Sequence, residues 1–250
     1  MTVYAPIPGI RVHTLGGRFP TITTLPVPCD SWNGTYEQAW KRLCAQNPKL
    51  HDGPIWSASR VSATHITVTP DRYKRLAIQA DPNIGDLGVR IIGAKGLTTR
   101  ADGCTLIARR GPHTRIYSGY WEFAPAGGVD ANAPLSLGSV ARTLVQEAAE
   151  ELDTDISATV SHTSPFMLIE DEMARSVDIL ATVHWPDARY RRDPSFAAAP
   201  PTWEYNDVEW LCGDGLTEWH LRRSYDLTPP TRALLAVWSR APRGLMDLIS

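Results

Sequence analysis

Three glutamates, Glu147, Glu150 and Glu151, stand at i, i+3 and i+4 in a segment whose apolar spacing from Leu137 to Leu152 predicts a helix. Residues at those separations are helical neighbours and are expected to share one face. Three carboxylates gathered there repel one another, and a positive charge among them relieves the repulsion. A hard divalent cation suits such an all-oxygen set; Mg2+ is expected, with Mn2+ as the alternative, and magnesium keeps waters for a phosphate-bearing substrate. The paired glycines Gly127-Gly128 precede the helix, and Ser136 or Ser139 can cap its start.

The chain has 250 residues, enough for one large domain or two modest ones. Its formal net charge of −2 argues against general nucleic-acid binding but leaves room for a local basic pocket. No run of eighteen apolar residues occurs, and the N-terminus MTVYAPIPGIRVHTLGG lacks a basic stretch followed by an apolar one. These features predict no membrane span and a cytoplasmic protein. Cys29, Cys44, Cys104 and Cys212 are widely spaced with no CxxC pair, so buried thiols are expected rather than a zinc site or a structural disulfide.

Residues 1–30 suggest irregular strands among prolines and glycines. Residues 35–46 read as a helix with a stripe of Tyr36, Ala39, Trp40, Leu43 and Cys44, ended by Asn47-Pro48. Strands are predicted over 55–61, 65–68 and 73–79. Asp81-Pro82-Asn83 is the expected boundary between an N-terminal substrate-recognition lobe, 1–84, and a catalytic domain, 85–250. Beyond it, 87–97 and 105–109 flank the hairpin signal Asp102-Gly103. A Gly- and aromatic-rich loop is expected over 110–130, and strands over 177–185 and 208–211. Between those strands lies a loop of about twenty residues with prolines at 194, 200 and 201. A helix is predicted over 231–240, behind Pro229-Pro230.

The segment Tyr120-Trp121-Glu122-Phe123-Ala124-Pro125-Ala126-Gly127-Gly128-Val129, followed by Gln146-Glu147-Ala148-Ala149-Glu150-Glu151-Leu152-Asp153, resembles the signature of the Nudix hydrolases. Leu106-Ile107-Ala108-Arg109-Arg110-Gly111 is similar to the family's first core strand, and the resemblance extends over 87–240. All three metal-side carboxylates match. The chain departs from the pattern elsewhere: four residues are inserted between Gly128 and Glu147, Gln146 replaces an Arg, Gly138 replaces a Glu, and Asp153 replaces a closing Gly. The missing Glu and Arg form a structural ion pair in the family, and losing both leaves neither charge unpaired.

The resemblance implies an α/β (α+β) fold, a Nudix α/β/α sandwich with a mixed central sheet, preceded by a smaller β-rich lobe. It also implies a diphosphatase in which Mg2+ is held by Glu147, Glu150, Glu151 and the carbonyl of Gly127 or Gly128, and a protein that pairs into a homodimer. The base for the attacking water is Glu147 or a carboxylate from a later loop. Glu204 is favoured for the latter, with Glu170, Asp171 and Glu172 as rivals. Arg109 or Arg110 is expected to clamp a phosphate, although strand alternation keeps both from facing the site together.

The N-terminal lobe carries Trp32, Tyr36, Trp40, Trp56 and Tyr73 with Arg60 and Arg72. Trp40 belongs to a helical core stripe; Trp56 and Arg60 are the expected substrate contacts, by stacking and by charge. Asn47-Pro48-Lys49-Leu50-His51-Asp52-Gly53-Pro54 and the two-lobed layout are similar to Nudix enzymes of the UDP-glucose pyrophosphatase type. That likeness implies a nucleotide-sugar substrate, a UDP-sugar cleaved to UMP and a sugar 1-phosphate. The alternatives are ADP-ribose, a CoA derivative, a capped nucleotide or a dinucleotide, or a non-catalytic nucleotide sensor. An isoprenoid diphosphate isomerase is disfavoured because Cys104 lies on the wrong side of the motif.

Overall fold

Two apolar strands, β5 (Ile91–Thr99) and β10 (Ser176–His184), form the centre of the sheet. They pair in parallel from Ser176↔Ile91 to His184↔Thr99. Parallel strands are covered on both faces and so read as nearly continuous apolar runs. The structure is a computed structural model and describes residues 7–27, 32–185, 204–212, 218–219, 222–223 and 225–238. Among these residues the sheet has eleven strands.

Around that centre, β9 (Pro165–Asp171) pairs antiparallel with β10, and β1 (Ile10–Thr14) with β9. On the other side lie β3 (Pro54–Val61), β4 (His65–Arg72) and the edge strand β2 (Thr21–Thr24). Strands from either side of residue 84 belong to one sheet: Ser57 pairs with Ile91, and Ala58 N–H donates to Arg90 O at 2.8 Å. A second branch contains β6 (Thr105–Arg110), β7 (Trp121–Phe123) and β11 (Tyr205–Leu211), while β8 (Ala126–Gly128) lies against β5.

Helices cover both faces. In α3 (Leu137–Leu152), Val140, Leu144, Ala148 and Leu152 recur every four residues and join one core cluster with Ile92, Ala94, Ile179 and Ala181. Burying each larger side chain contributes about 1.5–3 kcal/mol. Leu180, one residue out of phase with Ile179, enters a second cluster with Leu234, Leu235 and Val237 of α4 (Pro229–Trp238). The result is a mixed α+β fold with a helix on each side of a mixed sheet. Asn33 caps α1 (Gly34–Gln46) by accepting from Thr35 and Tyr36 N–H.

The structure corrects several expectations. Residues 73–79 are not a strand: Tyr73–Ile78 is a helix, α2. Asp52 accepts from Lys74 N–H at its start, and Leu76, Ala77 and Ile78 are buried, which short apolar spacing does not distinguish from a strand. β9 is an additional strand whose apolar run is bracketed by Pro165 and the acidic Glu170-Asp171, which mask it in the sequence. Cys104 and Cys212 are not free thiols but form a disulfide. They lie 108 positions apart, so no local spacing signals the pair. Cys29, the prolines at 194, 200 and 201 and the last two residues of the predicted helix lie outside the described residues.

Candidate metal-binding site and the adjoining cleft

The carboxylate positions on α3 follow from helical geometry. At about 100° per residue, Glu151 falls within the buried stripe, Glu147 at its edge, and Glu150 about 100° beyond Glu151 on the far side. Glu151 is accordingly 3% exposed, and Glu147 is half-buried. Glu150 is exposed and accepts from Gln146 Nε2 at 2.9 Å. The expected three-carboxylate face therefore divides, since i+3 and i+4 flank i on opposite sides.

Glu204 takes the third place. Ligand oxygens of Glu147, Glu151 and Glu204 all lie within 4.8 Å of one another. Glu204 immediately precedes β11, and its carbonyl accepts from Gly111 N–H at 2.6 Å. Gly127 in β8 packs directly on the cluster, and a Cβ there would overlap the Glu147 carboxylate. Ala126 N–H donates to Glu151 Oε2 at 3.1 Å.

Burial and mutual repulsion disfavour charge on this cluster. Burial, then the charges of Glu204 and Glu150, push the Glu147 carboxyl up to about 8. Burial, a hydrogen bond with Glu204 and the Glu147 charge raise Glu151 well above the usual carboxylate range, opposed by the Ala126 N–H. The donor set is all hard oxygen, with no thiolate or imidazole among the three, and so fits Mg2+ or Mn2+.

Beside the triad lies a buried polar cluster. Glu122 is 2% exposed and accepts from both Lys95 Nζ and Arg110 Nη1, while Tyr205 O–H donates to it at 3.3 Å. Burial works against the Glu122 charge, but Arg110 and Lys95 outweigh it and hold the carboxyl at about 2. Arg110 is fixed further by donation from Nε to Ile116 O at 3.0 Å.

A cleft of about 170 Å³ is lined by Ala126, Gly127 and Gly128 together with Lys95, Arg110, Glu122, Tyr117, Asp171 and Asp178. Burial pushes the Asp178 carboxyl up to about 6; Lys95 opposes the shift, and Asp171 and Glu122 add to it. A side chain at Gly93 would overlap Asp178, so this glycine admits the carboxylate to the wall. Tyr117, with φ of 55°, donates its O–H to Asp171 at 2.8 and 3.0 Å. Sequence reading missed Lys95, Glu122, Tyr117 and Asp178. Lys95 interrupting an apolar strand was the one available signal, because a buried charge needs a partner.

The other expected residues divide between the cleft and positions away from it. Arg110 faces the cleft, while Arg109 is exposed and donates to Gly119 O at 3.0 Å, as strand alternation requires. Trp56 is 5% exposed within the core, and its Nε1 donates to Ala133 O at 3.2 Å, so neither its ring nor its N–H reaches the site. Arg60 is exposed on β3 and is not brought to the cleft. Glu170 pairs with His13 and Arg90, and Glu172 with Arg11; neither joins the triad. Gly128 lines the cleft and pairs with Gly93.

No protein-family model matches this chain, and no curated protein does. Among solved structures, a NUDIX hydrolase from Alicyclobacillus acidocaldarius is similar over 66% of this chain and 97% of that one, at 13% identity and a TM-score of 0.44. A bifunctional NMN adenylyltransferase/ADP ribose pyrophosphatase from Francisella tularensis is similar over 68% of this chain and 44% of that one, at 15% identity and a TM-score of 0.41. A MutT protein from Methanosarcina mazei Go1 is similar over 54% of this chain and 94% of that one, at 16% identity and a TM-score of 0.33. The residues of the site, rather than these likenesses, carry the reading of its chemistry.

Proposed function

We propose that this chain hydrolyses the diphosphate bond of a nucleoside diphosphate derivative, with Glu147, Glu151 and Glu204 holding Mg2+ or Mn2+. One observation carries the reading: three carboxylates, two from α3 and one from the residue just before β11, converge within 4.8 Å, two of them with their charged forms disfavoured. A divalent cation relieves that repulsion; when bound, it neutralises phosphate oxygens and acidifies a water beside them.

The chain's own residues do the rest. Glu147, at the edge of the buried stripe, accepts the proton of the water that attacks phosphorus in line. Arg110, braced by Glu122, presents positive charge to the cleft that Gly127 also lines. The cleft beyond accepts the nucleoside part, with Asp178 and Asp171 as acceptors and Lys95 as donor. Gly127 lets the carboxylate approach the backbone, so its carbonyl is a further candidate ligand.

A nucleotide sugar, in the first instance a UDP-sugar, is the substrate in this reading. ADP-ribose is the nearest rival. Incubation with Mg2+ and a panel of UDP-sugars, ADP-ribose, CoA and dinucleoside polyphosphates separates them. Faster cleavage of ADP-ribose than of every UDP-sugar would reject the UDP assignment while keeping the diphosphatase. In a cytoplasmic setting the Cys104–Cys212 pair would meet reducing thiols, which gives its redox state functional weight.

A further inference from the structure

The strand that delivers Glu204 is held from its opposite end by the disulfide. Cys104 immediately precedes β6 and Cys212 immediately follows β11, next to the last register pair, Thr105↔Leu211. Among the described residues β11 pairs only with β6. Its side chains other than Tyr205 are exposed or half-buried, and its ladder shifts register between Tyr205 and Asp207. Tyr205 is buried in the core, but the shift separates it from the rest of the strand, where Val208, Trp210 and Leu211 are only partly buried, and a one-residue slip there would turn every side chain to the other face. Trp210 meets Trp185 edge-on at 5.4 Å, and Glu209 accepts from Trp219 Nε1 at 3.0 Å, so these contacts hold the strand together with the disulfide.

We propose that the Cys104–Cys212 disulfide fixes the register of β11 and thereby positions Glu204 beside Glu147 and Glu151, making the affinity of the site for a divalent cation depend on thiol redox state. The inference rests on reading the three glutamates as a cation site. The cysteines are positioning residues, acting from about 25 Å along the strand. Cys212 is exposed and Cys104 is 2% exposed, so an incoming thiolate reaches the Cys212 sulfur and Cys104 leaves as the thiolate. A dithiol completes the reaction: the S–S bond breaks, two electrons and two protons yield two thiols, and the dithiol becomes a cyclic disulfide.

The test titrates Mn2+ alone into the full chain, oxidised and then reduced with a dithiol that is removed before titration; free-thiol counting verifies each state. Reduction should weaken Mn2+ binding about 10-fold, the scale of losing a ligand's support. Amide exchange at Gly111, whose N–H donates to Glu204 O, should accelerate on reduction. C104S and C212S should bind as the reduced chain does and ignore the dithiol, whereas C44S should keep the difference. In E204Q the redox state should no longer alter Mn2+ affinity. Equal affinity in both states, or a lowered melting temperature with affinity unchanged, overturns the proposal while leaving the cation site standing. No Mn2+ uptake in either state removes the cation site and the proposal together. Reduction of the unmutated chain decides the matter even where a cysteine variant does not fold.

Discussion

Gly127 and Glu147 are packed so closely that no side chain fits between them: a Cβ on Gly127 would overlap the Glu147 carboxylate. The glycine preceding α3 thus makes room for the helix's first site carboxylate, and the two motif halves meet at this contact.

G127A should displace Glu147 from the triad. Because the obstruction is the mobile end of a side chain, the stability cost should be only about 1–2 kcal/mol. Divalent-cation affinity should fall at least about tenfold. A titration of Mn2+ into G127A, beside its melting curve, measures both; a large loss of stability with affinity intact would contradict the contact's role.

Without a cation, the triad should make the protein less stable as pH rises. A carboxyl whose folded pKa is raised binds more protons folded than unfolded, so its stabilising contribution is lost between the ordinary 4.5 and the folded value, about 8 for Glu147. In chelator, E147Q should therefore gain about 2–3 kcal/mol over the parent at pH 8 and little at pH 4.5. Added Mg2+ should raise the parent's melting temperature more at pH 8 than at pH 5. Denaturant melts across that range read the sign directly.

Glu170 should behave in the opposite sense. Its hydrogen bond with His13, then that with Arg90, hold the carboxyl at about 2. Its contribution is present above the ordinary 4.5 and lost as pH falls through 2. E170Q should cost on the order of 2–3 kcal/mol at pH 6 and flatten the acid limb of the stability curve. An unchanged acid limb would show that the pair is not stabilising.

Glu122 accepts from both Lys95 and Arg110. E122Q would leave the buried Lys95 and the half-buried Arg110 short of a counter-charge, at about 3–5 kcal/mol. E122Q denaturation should show that loss, and activity should fall with it as Arg110 shifts.

The parts of this molecule legible in its sequence are those written in short periods. Val140, Leu144, Ala148 and Leu152 announce α3 by their spacing, and Ser136 announces its cap. Periodicity alone does not settle which carboxylates converge. Glu150 and Glu151 are adjacent in sequence yet differ by about 100° around the helix, and only burial of the stripe decides between them. α2 is too short to reveal its period, and β9 is bracketed by Pro165 and acidic residues. The disulfide, the Lys95–Glu122–Arg110 cluster and the Asp178 wall depend on strands brought together from distant positions. Trp56 illustrates the converse: an aromatic suited to stacking a base was needed by the core.

The central claim is that Glu147, Glu151 and Glu204, not Glu150, hold the cation that supports hydrolysis. Comparing E150Q with E151Q tests it most directly, by Mn2+ affinity and by Mg2+-dependent cleavage of a nucleoside diphosphate derivative taken from the substrate panel. E151Q should lose at least about a hundredfold in turnover, with cation affinity reduced, while E150Q stays within about threefold of the parent. Unchanged turnover and affinity in E151Q, or a loss in E150Q as deep as in E151Q, would contradict this account.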